Sequence, residues 1–347
     1  MQNMAATPRQ REKVCVFIGS HRPASRRDSG ADLVRALINQ GVKVEGLYVR
    51  PGDRLNHQRF KGCRIHHIPA ILRQPRKKIL KSFSDPDRNA GWQEWLETFR
   101  RENYSLGVVY FGSWLPPDLF SAPRLGFINF HPGPLPALRG FEAETWAILS
   151  DMQSFYGTVH RVSEQYDAGE IIWRTPAVSI RRRETPASLL NRTCYAGIRH
   201  IKSLVKLMHR GEVLPVSQEM MNGVHASIQL ARTRAHINWT EDSLAGIDRK
   251  NRAFNGQYIP VPLTLEFQGE RRIIRNVLIL KGRFGGGLGE HVGEYGKRGS
   301  FQGMPVFQAL DGQVVLDLMP PGASKPDRAS VFASYDDQIE DEALFRE

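Results

Sequence analysis

The sequence has little cysteine and no long apolar run. Its three cysteines, Cys15, Cys63 and Cys194, lie far apart and show none of the short spacings of metal ligands or redox pairs. They read as inert thiols of a reducing compartment, which excludes a disulfide scaffold and makes the cytoplasm the expected location. No stretch approaches the ~18–20 apolar residues of a bilayer span, so no membrane segment is expected. Met1 to Lys13 is polar and basic with no apolar stretch behind it, unlike a secretory signal. The glycine spacing of a P-loop or a dinucleotide fingerprint is also missing. No cluster of metal-ligand types stands out, so no metal is expected.

Acidic residues are in short supply as well. Lys and Arg number 48 against 36 Asp and Glu, a net charge of +12. A basic surface suits phosphorylated metabolites, nucleotide-linked substrates or RNA, and it equally suits a solvated face that only keeps the chain soluble. Hydrophobic residues at 41% and charged residues at 24% are ordinary for a globular protein. At 347 residues the chain exceeds one typical domain, and two are expected.

The first half alternates short apolar runs with helical patterns. Strands are predicted at Val14–Ile18, Val42–Val49, Arg64–Ile68, Leu106–Phe111 and Gly126–Phe130, and further ones at Phe155–Val162 and Ile171–Ile180. Between them fall helices at Gly30–Asn39 and around Trp92, Leu96 and Phe99, with one long helix over Thr185–His209. This alternation implies βαβ units and a parallel sheet, whose ligands gather at the carboxyl ends of the strands. Residues 212–235 show no clear periodicity and read as a linker. Beyond it, a short helix at Ala245–Phe254 precedes strands at Leu263–Phe267, Arg272–Leu280, Val306–Ala309 and Val314–Leu318, a pattern that suggests a small β-barrel. The expected units are therefore residues 1–211, the linker 212–235, a barrel over 236–322 and an acidic tail over 323–347.

The chemistry concentrates in Gly126-Phe-Ile-Asn-Phe-His-Pro-Gly-Pro-Leu-Pro-Ala-Leu-Arg-Gly140. A strand delivers Asn129 and His131 to one face, two residues apart. Further on, Tyr166-Asp167-Ala-Gly169 sets a carboxylate in a turn. An amide can donate to the oxyanion of an acyl transfer, an imidazole can move a proton, and a carboxylate can orient the imidazole. Taken singly, each of the three is as well explained by a turn or a strand end.

Together the string resembles the active-site signature of the folate-dependent formyltransferases. That pattern is Asn-x-His, a Leu-Pro-x-x-Arg-Gly loop and an Asp-x-Gly turn, matched here by Asn129, His131, Leu135-Pro136, Arg139-Gly140 and Asp167 to Gly169. Gly157-Thr-Val-His-Arg-Val162 resembles the strand before that turn, and the likeness runs from about Val14 to Ile180. His236-Ile-Asn-Trp239, Arg252-Ala-Phe254 and Pro320-Pro-Gly322 are similar to the C-terminal barrel of methionyl-tRNA formyltransferases and of some amino-sugar formyltransferases. The resemblance implies a doubly wound, Rossmann-like domain of formyltransferase type with a smaller OB-like barrel. It implies catalysis by Asn129, His131 and Asp167 on 10-formyltetrahydrofolate as co-substrate. Its pterin positions fall on Phe111, Gly112, Ser113, Trp114 and Leu115 and on the loop from Ser163 through Glu164, Gln165 and Tyr166. Phe111 and Trp114 suit a plain core role equally well.

Three departures from the tRNA-modifying members concern the acceptor. Pro132-Gly-Pro-Leu-Pro136 replaces their usual Ser-Leu-Leu-Pro run, and Arg50-Pro-Gly-Asp-Arg54 is short and mildly basic where they carry a basic loop. After Gly140 the chain reads Phe-Glu-Ala-Glu-Thr-Trp146, and His160 sits in the following strand. These details resemble members acting on small amines, so the expected acceptor is a nucleotide-linked amino sugar or an amino-acid derivative. Arg26, Arg27 and Ser29, near a helix N-terminus, could take a phosphate of that acceptor, with Arg139 and His160 also near it, though exposed arginines are ordinary in a solvated loop. Three alternatives stay open: formylation of an aminoacyl-tRNA, hydrolysis of the formyl-folate by water, and anion or RNA binding without catalysis. The barrel shows no run of exposed aromatics among basic residues, which counts against the last.

Overall fold

The computed structural model describes residues 12–18, 29–49, 60, 62–74, 76–110, 114–140, 142–218, 224–226, 228–254, 261–279, 295–301 and 304–320. In chain order the first elements are β1 (Val14–Ile18), α1 (Ser29–Asn39), β2 (Val44–Val49), β3 (Arg64–His67), α2 (Arg76–Phe83), α3 (Pro86–Arg101), β4 (Leu106–Tyr110), α4 (Pro117–Phe120) and β5 (Phe127–His131). Then come β6 (Leu138–Gly140), α5 (Ala143–Leu149), β7 (Ser154–Phe155), β8 (Thr158–Arg161), β9 (Ile171–Arg174), β10 (Val178–Ser179), α6 (Pro186–Ile198) and α7 (Ile201–Arg210).

Seven strands form one sheet in the order β3-β2-β1-β4-β5-β8-β9. The pairs from β3 to β5 are parallel, and β8 and β9 extend the sheet antiparallel. In β1 all five residues are buried, because helices cover both faces. Val14, Val16 and Ile18 pack into one cluster with Leu33 and Leu37 of α1, Leu190 of α6 and Leu204 of α7. Cys15 and Phe17 point the other way, onto Trp92, Leu96 and Phe99 of α3. The period-2 alternation of a strand thus divides its residues between two cores. Asp85 caps α3 by accepting from the Arg88 amide, and Pro86 opens the helix where no amide proton is needed.

Three sequence-based elements are divided in the structure. The run Phe155–Val162 is two strands: β7 pairs with β10 outside the main sheet, while β8 joins β5. The chain bends at Gly157, which lies against the Phe130 ring and whose amide donates to Thr175 Oγ1 at 2.9 Å. Ile171–Ile180 bends opposite, at Thr175 and Pro176, where proline has no amide to continue the ladder. The single helix expected over Thr185–His209 breaks between α6 and α7 at Arg199 and His200. That break turns Ile201, Leu204, Val205 and Met208 onto the same cluster as Leu190 and Cys194.

The stretch without periodicity carries structure. Val216 bridges Ile171, β11 (Val224–Ala226) pairs with β6 in parallel, and α8 (Ile228–Arg234) follows. Beyond α9 (Leu244–Phe254) lie β12 (Thr264–Phe267), β13 (Glu270–Ile279), β14 (Tyr295–Phe301), β15 (Met304–Ala309) and β16 (Gly312–Leu318). They form an antiparallel sheet in the order β12-β13-β16-β15-β14, where the sequence suggests a barrel. Strand β14 lies in the glycine-rich stretch that shows no strand pattern. Gln268 and Gly269 turn β12 into β13 with φ of 53° and 76°, both left-handed, as a two-residue hairpin requires. A third core joins α5 to this C-terminal part through Trp146, Phe254, Leu263 and Phe307. Among the described residues no helix is long and apolar enough to cross a membrane. The tail 323–347 lies outside the described residues.

Candidate active site

The site sits at the carboxyl end of β5. Asn129 and His131 lie on one face of that strand, and in the antiparallel register Asn129 stands opposite His160 of β8. Directly opposed residues of two strands bring their side chains together, so an amide and an imidazole meet by sheet geometry alone. Asn129 Nδ2 lies 3.1 Å from His160 Nε2. The other ring nitrogen of His160 donates to the Arg161 carbonyl at 2.8 Å, which leaves Nε2 of the neutral ring to accept from Asn129.

Asp167 arrives from the turn between β8 and β9. Its φ is 50°, the left-handed region that aspartate tolerates better than most residues. The turn folds tightly onto β8: a Cβ on Gly169 would lie 1.9 Å from the Arg161 carbonyl oxygen. This close approach is the physical reason for glycine in the Asp-x-Gly pattern. Gly169→Ala is expected to destabilise the chain by about 1–3 kcal/mol through overpacking against fixed backbone. Urea denaturation checks it, and an unchanged midpoint would show that the turn moves freely.

The Asp167 carboxylate gathers four donors or ring nitrogens. Oδ2 accepts from the Gly140 amide at 3.0 Å and lies 3.4 Å from His131 Nδ1. Oδ1 lies 3.4 Å from both Asn129 Nδ2 and His160 Nε2. Burial alone would raise this carboxyl, but the attraction of His131, the contact with His160 and the Gly140 amide hold it well below the usual range. Asp167 is therefore ionised across the working pH range.

His131 is only 4% exposed. Its Nε2 donates to the Leu138 carbonyl at 2.8 Å, so Nδ1 faces Asp167. Burial lowers the imidazole below its ordinary value, while Asp167 pulls in the opposite direction. The surrounding loop is held by Thr158, whose hydroxyl donates to the Gly133 carbonyl at 2.8 Å and accepts from the Leu135 amide at 3.2 Å.

Beside these groups opens a cleft of about 420 Å³, counting its mouth. Its lining mixes apolar Val109, Trp114, Leu115 and Val162 with polar Asn129, His160 and Asp167, and adds Ser163, Gln165 and Tyr166 of the turn. His131 lies one layer behind this lining. Trp114 is fixed by donating from Nε1 to the Glu164 carbonyl at 2.8 Å and by the Arg76 guanidinium 5.3 Å from its ring.

Of the residues singled out in the sequence, Asn129, His131, His160 and Asp167 are brought together, and Trp114, Leu115, Gln165 and Tyr166 line the same cleft. Glu164 contributes its carbonyl to Trp114. Arg139 donates to Gln218 Oε1 at 3.1 Å, and among the described residues its buried Nε has no hydrogen-bond partner. Ser29 opens α1, its side chain outside the described residues, as are Arg26, Arg27, Phe111, Gly112 and Ser113. Two residues at the site escaped the sequence reading. Thr158 sits within a plain apolar strand pattern, and Gln218 within a stretch with no pattern. Among the described residues no group of three or more His, Cys, Asp or Glu is placed to hold a metal.

The formyl transferase family model matches residues 72–203. Methionyl-tRNA formyltransferase of Bacillus cytotoxicus is 25% identical over 214 residues, covering 62% of this chain and 66% of that protein. The chain thus spans just under two thirds of the length of the curated relatives it matches. Among solved structures, a variant of HypX from Aquifex aeolicus aligns with a TM-score of 0.56 at 16% identity, over 92% of this chain and 47% of that one. The N-formyltransferase from Helicobacter canadensis, in complex with folinic acid and dTDP-3-aminofucose, aligns with a TM-score of 0.56 at 13% identity, over 88% and 99%. These structural likenesses show the fold: a Rossmann-like, mostly parallel formyltransferase sheet followed by a small antiparallel one.

Proposed function

We propose that this chain, whose residues 72–203 match the formyl transferase family model, moves a formyl group from 10-formyltetrahydrofolate to the primary amine of a small molecule. One observation carries the reading. An ionised carboxylate, an amide and two imidazoles converge at a cleft that is also lined by apolar and aromatic side chains. The apolar lining suits a flat pterin held between Trp114, Leu115 and the turn 164–166, with the formyl carbon at the polar groups.

The chemistry follows from charge flow. When an amine attacks the formyl carbon, negative charge grows on the oxygen and positive charge on the amine nitrogen. Asn129 Nδ2 donates to that oxygen, exchanging its weaker 3.4 Å contact with Asp167. Asp167 accepts the amine proton through water. His131, against Asp167 and anchored to Leu138, relays the proton behind the carboxylate toward the departing folate nitrogen. His160, on the cleft wall opposite Asn129, lies on the acceptor side. No metal enters the scheme.

A nucleotide-linked amino sugar or amino-acid derivative is the acceptor class we favour, because the sequence Arg50-Pro-Gly-Asp-Arg54 is short and only mildly basic. The likeness to a fold carrying dTDP-3-aminofucose over nearly its full length supports that choice. Aminoacyl-tRNA is the second reading, supported by the net charge of +12 and by the relatives named for methionyl-tRNA. Hydrolysis of the donor, with water in place of the amine, is the third. We assign residues 1–211 to catalysis and residues 236–322 to an OB-like barrel, and place the reaction in the cytoplasm.

Two measurements test the reading. A hundredfold excess of 5-formyltetrahydrofolate over its Kd should stabilise the chain by about 2.7 kcal/mol, and no thermal shift would remove the donor assignment. Incubation with formyl-folate and a panel of amines, with and without aminoacyl-tRNA, should show transfer to a nucleotide-linked amine. Efficient formylation of initiator tRNA, weakening steeply with salt, would move the acceptor to tRNA. Formate release without an amine would make the chain a hydrolase.

A further inference from the structure

The side chain of Gln218 is fully occupied. Its Nε2 donates to the carbonyls of Asp167 at 2.9 Å and of Gly169 at 2.6 Å, and its Oε1 accepts from Arg139 Nη2 at 3.1 Å. A primary amide has two N–H donors, and both are spent on the two ends of the Asp167 turn. The backbone delivers Gln218 there by pairing. Val216 exchanges both its amide and its carbonyl with Ile171 at 2.8 Å, adding an antiparallel step at the edge of β9 immediately after that turn.

The same part of the chain also supports the opposite side of the carboxylate. Strand β11 pairs with Leu138, Arg139 and Gly140 of β6. Leu138 supplies the carbonyl that anchors His131, and Gly140 the amide that holds Asp167. Residues beyond α7 therefore touch the Asp167 turn, the Arg139 side chain and the strand that orients both groups.

We propose that Gln218 is a positioning residue for Asp167. With residues 216–218 and 224–226 it forms a strap that holds the carboxylate against β6 and makes a chain ending at residue 211 incomplete as a catalyst. The inference rests on the proposed transfer reaction. The key residue of this turn sits at φ of 50°, a sparsely populated region even for aspartate, and bonds to its carbonyls steady it there. Glutamine supplies what the site requires: two donors on one atom, and an oxygen left for the arginine.

The test uses the full chain. Gln218→Glu keeps length and an oxygen for Arg139 but offers no N–H to the two carbonyls, and Gln218→Met removes all three bonds at similar volume. Both are expected to lower kcat about tenfold to hundredfold, the usual cost of losing an orienting partner. The Kd for 5-formyltetrahydrofolate should stay within about twofold, since binding energy resides elsewhere in the cleft. In an Asp167→Asn background, Gln218→Met should cost little more, because its effect passes through the carboxylate. Leu214→Ala, on the same segment and 87% exposed, should behave as wild type. Wild-type kcat in both variants, or an equal proportional loss with and without Asp167, would overturn the role. A second readout needs no turnover. The ring pKa of His131, followed by NMR, should fall in Gln218→Met as Asp167 loosens. If wild type formylates no amine but this pKa falls, the strap stands and the proposed reaction fails. If the pKa does not move, the strap fails.

Discussion

Asp167→Asn is expected to cut turnover by ~10²–10⁴ while leaving the fold and the folate affinity in place. Asparagine has the same shape, and its oxygen can still accept from the Gly140 amide that now lies 3.0 Å from Oδ2. What it loses is the charge. The carboxyl of Asp167 is held well below the ordinary carboxylate range, so in wild type it is ionised throughout the neutral and mildly acidic range. The Asn variant has no base for the amine proton and no negative charge to offset the effect of burial on His131. Because Asp167 raises the His131 pKa against burial, the limb of the pH–rate profile set by His131 should move to lower pH in the variant. Stability carries a matching sign. A depressed carboxyl contributes stability above its unfolded value, which fades as pH falls through the folded one, and Asp167→Asn should remove that part of the acid dependence. Single-turnover kinetics with formyl-folate, alongside calorimetric titration of 5-formyltetrahydrofolate, separates chemistry from binding. An equal loss in both would make Asp167 a binding residue. A loss under threefold would make it structural.

The sequence reached different depths in different parts of the chain. Strand β1 was legible because five apolar residues in a row, between a polar start and a turn, fit a strand buried on both faces. The placement of Asn129 and His131 on one face followed from period 2 alone. The pairing of Asn129 with His160 did not: it depends on a register between β5 and β8 that no local pattern encodes. The division of the first strand and the break in the long helix were hidden because Gly157 and His200 matter through what they pack against, Phe130, Thr175 and Trp173. Arg139 read as a substrate contact because it stands in the loop motif, yet its partner Gln218 is 79 residues further on. A side chain that works by clamping two backbone carbonyls leaves no periodic trace.

Asn129→Ala should cost ~10²–10³ in turnover, the usual loss for one oxyanion donor. Its amide does more than wait for the formyl oxygen. It links His160 at 3.1 Å to Asp167 at 3.4 Å, so its removal also loosens the imidazole across the strand pair. The groups therefore act as a unit, and their losses should not add. The double variant Asn129→Ala with Asp167→Asn should fall close to the worse single variant, far short of the product of the two losses. His131→Ala combined with Asp167→Asn should behave the same way, because His131 reaches the reaction through the carboxylate 3.4 Å from its Nδ1. Double-mutant cycles on kcat, with circular dichroism to confirm folding, supply the measurement. Fully multiplicative losses would mean that the residues stabilise the transition state at separate points. If every single variant kept turnover within about threefold, far less than one lost donor should cost, the wall of the cleft would be structural and the transfer reaction would lose its machinery.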